Sequence, residues 1–502
     1  MRVLLLLPAA GYANQDFQQA AVKLGVEVVT CADYCHQLAP GWGLPPLMSV
    51  AFDQVETSVP RILAGLPPPR GEGWGEGKGV NVATQPRPHP HPDETTNQST
   101  RLSKNANQVA GYLPEGEGAN VLPTPRPHPN PDKTTSHSIR LSKNDNQVAG
   151  YLPGGEGAHV MPKPIDAVLA SDDHGVALAA HLREALNLPG NSVEAVMRLR
   201  DKMHFREVQQ AHSLPHPPFA AILHDDNGEA AAASLGFPLV VKSRQLNASR
   251  GVIRANNLGE FKCALAQVRR IQARHLRDAD MLGVLIERFI PGVEVALEGV
   301  LRAGELQVLA LFDKPDPLVG PVFEESIYVT PSRLPDSTQR DIADAVSRAC
   351  TAADVTEGVI HAEARINDAG VWLLEIAPRA IGGLCGRILE ATLGVGSAEI
   401  VLRHALGLPL NLQTRSDAAG VMMIPIPASG ILQAIDGIEA ARATPGITGI
   451  EITAAIGQLI APPPEGASYL GFIFSCADTP ADAEAVLRAA HAQLSIHIQP
   501  LI

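Results

Sequence analysis

The sequence predicts an α/β protein of several domains, opened by a parallel-sheet domain that a repetitive segment interrupts. Three observations predict it. The chain has 502 residues, too many for one typical core, so two or three domains are expected. It opens on an apolar run at 3–7, a helix-like stretch at 15–24 and then "VEVVTCAD", the strand–helix–strand rhythm of an open parallel sheet. That rhythm stops near residue 66 and resumes with "PIDAVLASDDHGVALAAHLREAL", so 1–66 and 164–190 read as one discontinuous Rossmann-like domain.

The interruption has its own character. From about 67 to 163 the composition shifts to Pro, Gly, Asn, His and Thr. A 39-residue unit beginning "PRPHPHPDETTNQST" at 86–124 returns at 125–163 as "PRPHPNPDKTTSHSI". A period near 40 is one signature of a solenoid. These units lack apolar periodicity, and two copies with so few large side chains cannot offset the entropy of ordering them. The segment reads as a disordered, dispensable insertion, and its histidines as part of a solvated linker.

Bulk properties exclude several classes. Apolar residues make up 45% of the chain, ordinary for a globular protein. A formal net charge of −13 argues against nonspecific binding to nucleic acid or to an anionic membrane. Six cysteines in so long a chain make no disulfide framework, and Cys31 and Cys35 stand at CxxxC, neither a redox nor a zinc-ribbon spacing. Buried thiols in a reducing compartment fit. The run "LLLL" near the start is shorter than a signal core of roughly 7–15 residues, and no run approaches the ~20 apolar residues of a membrane span. A cytoplasmic protein is expected.

The remaining elements follow in order. Residues 192–211 read as one helix ended by "LPHPPFA". "FPLVVKSRQLNASRGVIRA" reads strand, polar loop, strand, and "NLGEFKCALAQVRRIQA" an amphipathic helix. "MLGVLIERFIPGVEVALEGVL" is a strand, a Pro-Gly turn and a second strand. Strands and a polar loop fill 307–330, "RDIADAVSRACTAA" is a helix, and "HAEARINDAGVWLLEIAPR" at 361–379 is a hairpin. The pattern divides into a domain at 191–410 and a C-terminal α+β domain at 411–502 that ends on the helix "TPADAEAVLRAAHAQL".

The hairpin carries the first chemical signal. A three-residue loop, Asp368–Ala369–Gly370 with Gly370 left-handed, is a common connection. It pairs Asn367 with Val371 and, counting outward, Glu363 with Glu375. Ala362, Ala364, Ile366, Trp372, Leu374 and Ile376 then share one face; His361, Glu363, Arg365 and Glu375 share the other. A two-residue loop shifts the register by one and separates the glutamates. Two opposed carboxylates repel, and either a hard divalent cation such as Mg²⁺ or Mn²⁺ offsets that, or Arg365 and Arg379 neutralise a solvated polar face. The hairpin alone leaves both readings open.

Upstream residues add a polyphosphate signal. Lys242 ends a strand, ahead of a turn with Ser249, Arg250 and Gly251, whose backbone N–H groups suit phosphate oxygens, although the P-loop spacing is missing. Glu287 and Glu294 flank Pro291-Gly292, which would let the backbone of 287–290 meet an adenine edge while Glu294 meets ribose hydroxyls. Each of these signals alone fits surface residues as well.

Taken together and in this order, "RDKMHFR", "FPLVVKSRQLNASRGV", "LIERFIPGVEV", "FEESIYVTPSRLP" and "HAEARINDAGVWLLEIAPRAIGG" resemble the ATP-grasp superfamily over about 192–410. The resemblance implies two α+β subdomains clasping ATP. It implies that Lys202 and Lys242 contact its phosphates, Lys242 also lying near the adenine, and that the loop with Ser249, Gly251 and Val252 closes over them. Glu287 and the backbone of Phe289 and Ile290 would hold the adenine, and Glu294 the ribose. Glu363 and Glu375 would bind Mg²⁺ or Mn²⁺, and Arg379 the carboxylate substrate or its phosphorylated form. "FEESIYVTPS" and "EIAPRAIGG" look most like the dipeptide and carnosine synthase group, in which Glu325, Tyr328, Gly382 and Gly383 would line the substrate pocket. Two positions depart from the pattern. Ala377 stands where many relatives carry a metal-binding Asn, and Tyr328 where the dipeptide ligases carry His.

The implied chemistry is a ligase. A carboxylate is a poor acyl donor because its leaving group is oxide. Phosphoryl transfer from ATP makes an acyl phosphate that an amine can attack, and Lys242 and Arg379 would offset the charge of two anionic partners. The partners would be a small carboxylate and an amine, with ADP and phosphate released; a homodimer is left open. A carboxylase-like enzyme activating bicarbonate is the alternative within the superfamily, and an ATP-binding protein without turnover the alternative outside enzymology.

Overall fold

A computed structural model describes residues 1–8, 11–33, 48–66, 165–223, 226–276, 283–413, 415 and 417–501. The repeat segment, with the expectation that it is disordered and dispensable, lies outside the described residues, as does Cys35.

The chain opens on β1 (Arg2–Leu7), every residue of which is buried, followed by α1 (Asn14–Leu24), β2 (Glu27–Asp33), β3 (Met48–Val50) and α2 (Val55–Gly65). Beyond the repeats come β4 (Ala167–Ala170) and α3 (Asp173–Ala185). β4 pairs in parallel with β1, completing a four-stranded sheet in the order β3-β2-β1-β4. Leu4, Leu6, Val168 and Leu178 pack on one face of it.

The expected helix at 192–211 is two helices, α4 (Val193–Arg200) and α5 (Lys202–Ala211). The break has a local cause. Asp201 is extended, and its carboxylate accepts the N–H of Met203 as the cap of α5 and receives Nη2 of Arg244 at 2.7 Å. A continuous helix would lose that cap. The break puts Lys202 in the first position of α5.

Next come β5 (Phe219–Ile222), α6 (Glu229–Leu235), β6 (Leu239–Ser243), β7 (Val252–Ala255), α7 (Leu258–His275) and β8 (Val284–Arg288). Their strands form an antiparallel sheet in the order β5-β8-β6-β7, and α7 buries Phe261, Leu265 and Val268 against it.

At Pro291-Gly292 the chain leaves this sheet for another. Gly292 has φ +136°, and a Cβ there would stand 2.2 Å from the carbonyl oxygen of Ile366, so only glycine fits the crossing. β9 (Val293–Arg302), β10 (Glu305–Asp313), β11 (Ile327–Thr330), α8 (Asp336–Ala352), β12 (Gly358–Asn367) and β13 (Gly370–Ala377) follow, then α9 (Ile388–Leu393) and α10 (Ser397–Ala405). The C-terminal part supplies β14 (Ala418–Ile424), β15 (Gly430–Asp436), α11 (Ile438–Arg442), β16 (Ile447–Ile452), β17 (Leu459–Ile460), β18 (Gly471–Ala477), α12 (Pro480–His491) and β19 (Ser495–Gln499). The large sheet runs β13-β12-β9-β10-β11-β14-β18-β16, so three strands from beyond residue 411 continue the sheet begun at 293. Hydrogen bonding therefore does not divide at 410. Alternate residues of β9 fill opposite sides: Val295 and Leu297 pack under α8, and Ala296 and Val300 under the segment after β13. No helix among the described residues is long and apolar enough to cross a membrane.

The hairpin differs from expectation in an instructive way. Its loop has two residues: Asn367 pairs with Gly370, Ile366 with Val371 and Arg365 with Trp372. The Asn367 side-chain oxygen holds the turn by accepting from the Ala369 N–H and from Trp372 Nε1. A bulge between Glu363 and Ala364, opposite Leu374, then absorbs one residue and brings Glu363 opposite Glu375. So the glutamates face each other, but Leu373 packs in the core, Trp372 lies opposite Arg365, and Leu374 lines the cavity.

Candidate active site

A cavity of about 810 Å³ opens between the four-stranded and eight-stranded antiparallel sheets and the β1 and β4 ends of the parallel one. Each predicted site residue lines it or is buried beside it.

The four-stranded antiparallel side carries paired cations. Lys242, at the end of β6, reaches Glu287 of β8 at 2.7 Å, and Arg206 of α5 reaches the other oxygen of Glu287 at 2.6 Å. Arg206 also donates to the Leu374 carbonyl at 2.8 Å, tying α5 to β13. Burial works to raise the Glu287 carboxyl pKa, but Arg206 and Lys242 outweigh it and leave it below the ordinary value. Burial lowers the Lys242 pKa against the opposing pull of Glu287. Lys202 donates to the Leu246 carbonyl at 2.8 Å and meets Glu375 at 3.0 Å. Between β6 and β7 the loop holds Ala248, Ser249 and Gly251 at positive φ, a concave turn leading into Val252.

The segment that joins the sheets offers a donor–acceptor edge. The Phe289 N–H donates to the Pro238 carbonyl and the Ile290 carbonyl accepts from Arg365. Among the described residues, neither the Phe289 carbonyl nor the Ile290 N–H meets a partner. Arg254 lies over the Phe289 ring at 4.2 Å.

The eight-stranded side gathers carboxylates. Glu294 of β9 takes Arg365 at 2.8 Å and Lys314 at 2.9 Å. The same Lys314 ammonium meets Glu325 and, at 3.2 Å, Glu363. Oxygens of Glu294, Glu325 and Glu363 lie within 4.8 Å of one another, so one lysine fills a hole of the size a cation takes. Burial works to raise the Glu363 carboxyl pKa, but Lys314 and His361 hold it well below the ordinary value. Burial, against Lys314, pushes the Glu325 carboxyl up to about 7, and burial with Glu325 raises the Tyr328 phenol. His361 donates from Nδ1 to the Glu298 carboxylate across 3.2 Å and stands 3.7 Å from Glu363. Glu298, fully buried, also accepts the Ile381 N–H.

Glu363 and Glu375 supply hard oxygen donors from opposed positions on adjacent strands, a set that fits Mg²⁺ or Mn²⁺. Ala377, opposite His361, adds no ligand oxygen. Arg379 follows β13; its guanidinium donates to the Ala380 carbonyl at 2.8 Å and to Asp173 at 2.6 Å. Gly382 has open space above it, whereas a Cβ on Gly383, at φ +65°, would stand 2.9 Å from the Phe472 ring. That ring packs edge-on against Tyr12, whose hydroxyl accepts the Tyr469 N–H.

Sequence reasoning missed Lys314, Asp173, Glu298 and Tyr12. Lys314 carries the signal that singled out Lys242, a lysine closing an apolar strand, here in "LALFDK". Asp173 and Glu298 carry none, because their partners lie 206 and 63 residues away.

Comparison with known proteins agrees with this geometry. Residues 235–388 match the ATP-grasp domain, and 422–499 match L-amino acid ligase C-terminal domain 2. Carnosine synthase 1 of Gallus gallus is 30% identical over 299 residues, 55% of this chain and 32% of that protein. Alanine–anticapsin ligase of Bacillus amyloliquefaciens is 25% identical over 260 residues, 47% of this chain and 53% of the ligase. The chain thus matches about a third to a half of the length of these relatives. The crystal structure of the L-amino acid ligase from Bacillus licheniformis shares the fold, with a TM-score of 0.67 over 99% of both chains at 21% identity. The chain thus carries a match to the ATP-grasp domain followed by a match to L-amino acid ligase C-terminal domain 2, and it shares the fold of an L-amino acid ligase.

Proposed function

We propose that the protein is an ATP-dependent ligase that activates a small carboxylate, an amino acid, as its acyl phosphate and joins it to an amine. The observation that carries this reading is the meeting of a cation-rich wall and a carboxylate-rich wall in one cavity, with Arg379 beside both.

Each residue has a task that its surroundings support. Lys202 and Lys242 face the phosphates, and the Ser249–Val252 turn covers them. The Ile290 N–H and Phe289 carbonyl meet the adenine edge beside Glu287, and Glu294 turns to the ribose. Glu363 and Glu375 would hold Mg²⁺ or Mn²⁺, which would supply neutralisation of phosphate charge. Arg379 keeps three of its five N–H groups beyond those given to Ala380 and Asp173, enough to grip a carboxylate through two. A substrate oxygen attacks the γ-phosphorus, the bond to the ADP oxygen breaks, and the acyl phosphate forms. The amine then attacks the carbonyl carbon, loses a proton and expels phosphate. Glu325 and Tyr328 line the part of the cavity next to that carbon. Holding both partners in place is worth up to roughly 7–11 kcal/mol of barrier, and shielding from water keeps the acyl phosphate from hydrolysis.

Hydroxylamine tests this reading before the amine is known, because it captures acyl phosphates as hydroxamates. The protein with Mg-ATP, hydroxylamine and pooled amino acids should release ADP and form a hydroxamate. Absence of hydroxamate from every pool, or ADP release that depends on bicarbonate alone, would overturn it.

A further inference from the structure

We propose that Asp173 is a positioning residue that ties the loop at 244–251 to Arg379, so that nucleotide settling on the loop also sets the arginine for its carboxylate. This rests on the ligase reading for the role of Arg379, but the tie itself is a matter of geometry.

Asp173 opens α3 and comes from the parallel-sheet part of the chain, outside the residues that carry the superfamily motifs. It is 6% exposed. One oxygen, Oδ2, receives Arg379 Nη2 at 2.6 Å and Asn247 Nδ2 at 3.2 Å. Its carbonyl receives Arg200 Nε at 3.3 Å, and the same guanidinium donates to the Gln245 carbonyl at 2.6 Å. Two links therefore run from this one residue to the loop and one runs to Arg379. Burial works to raise its carboxyl pKa, and Arg379 outweighs it, so the group stays charged.

The loop has reason to respond to a ligand. Ala248 and Ser249 sit at φ +51° and +54°, a backbone that non-glycine residues hold only under outside constraint. Asn247, directly before them, is the residue that Asp173 grips. A nucleotide that fixes the loop fixes Asn247, and through the shared oxygen it fixes the face of the guanidinium left for substrate. By linkage, an anion on Arg379 raises nucleotide affinity by the same factor.

Amide hydrogen exchange with mass spectrometry reads this without turnover. Full-length wild type, Asp173→Asn, Asp173→Ala and Asn247→Ala are compared with and without Mg²⁺ and AMP-PNP. In the wild type, AMP-PNP should slow exchange at 244–252 and also at 379–384. In Asp173→Ala and Asn247→Ala the slowing at 244–252 should persist while that at 379–384 falls at least about fivefold. Asp173→Asn, which keeps an acceptor but not the charge, should lie between. Equal slowing at 379–384 in all four proteins, or none there in the wild type, overturns the proposal. Asn247→Ala leaves the Arg379 ion pair in place, so it stays informative if Asp173→Ala folds poorly. A wild type that shows the coupled slowing but makes no hydroxamate supports this inference and counts only against the ligase reading.

Discussion

Beside the four-stranded antiparallel sheet two cations, Arg206 and Lys242, share the one carboxylate of Glu287; beside the eight-stranded sheet three carboxylates, Glu294, Glu325 and Glu363, share the ammonium of Lys314. The first cluster is buried and the second partly so, and both use short ion pairs, yet they are unbalanced in opposite senses. Arg365 behind Glu294 narrows the second imbalance without removing it. Buried charge is costly unless paired. A fold seeking only stability would have matched the two sets against each other across the cavity. Left apart, one wall suits phosphate oxygens and the other a divalent cation, the two halves of a magnesium nucleotide.

The largest effect should come from removing either carboxylate proposed to hold the metal. Glu363→Gln and Glu375→Gln should each cut ADP release by about 10³-fold, with little change in melting temperature. Either variant keeping a tenth of wild-type turnover would break the assignment of that wall to the metal.

Lys314→Met tests the imbalance directly. It leaves three buried or half-buried carboxylates without their shared cation and should destabilise the protein by about 3 kcal/mol in urea unfolding. Mn²⁺ should restore more of the loss than it adds to the wild type. A variant as stable as wild type and indifferent to Mn²⁺ would mean that the carboxylates are neutralised some other way.

On the opposite wall, Lys242→Met would remove the charge-assisted hydrogen bond proposed to reach a phosphate. Such bonds are worth about 1.5–3 kcal/mol, so the KM for ATP should rise roughly 10- to 100-fold. An unchanged KM would take Lys242 out of the phosphate site.

The smallest effect is on acid stability. Burial tends to raise the Glu287 carboxyl pKa, but the two cations hold it below its unfolded value of about 4.3. A depressed carboxyl contributes stability that is complete above the unfolded pKa and is lost as pH falls through the folded one. Between pH 5 and 3 the wild type should therefore lose melting temperature faster than Glu287→Gln. Parallel slopes would contradict the pairing.

How much of this was legible in the sequence depends on the range of the interactions. Lys242 and Glu287 sit near strand ends and Glu363 within a hairpin strand, where alternation and turn residues locate them within a few positions. The pairing of Glu363 with Glu375 was legible, but the expected reason differs from the observed one. A three-residue loop and a two-residue loop with a bulge at Leu374 bring the same glutamates together, and only the second sends Leu373 to the core and Leu374 to the cavity. Pattern alone does not locate a bulge. The break at Asp201 was hidden because its capping acid pairs with Arg244, on a loop that sequence does not bring beside it. Asp173 and Lys314 act through partners that only the assembled sheets bring close.

The central claim is that the two walls together activate a carboxylate for an amine. ADP release from Mg-ATP, screened over pairs of amino acids and over amino acids with simple amines, tests it most directly. The account predicts ADP and phosphate release that requires both an acid and an amine, with a product whose mass is their sum less one water. No ADP release across the panel, or release that needs bicarbonate and no amine, would contradict it.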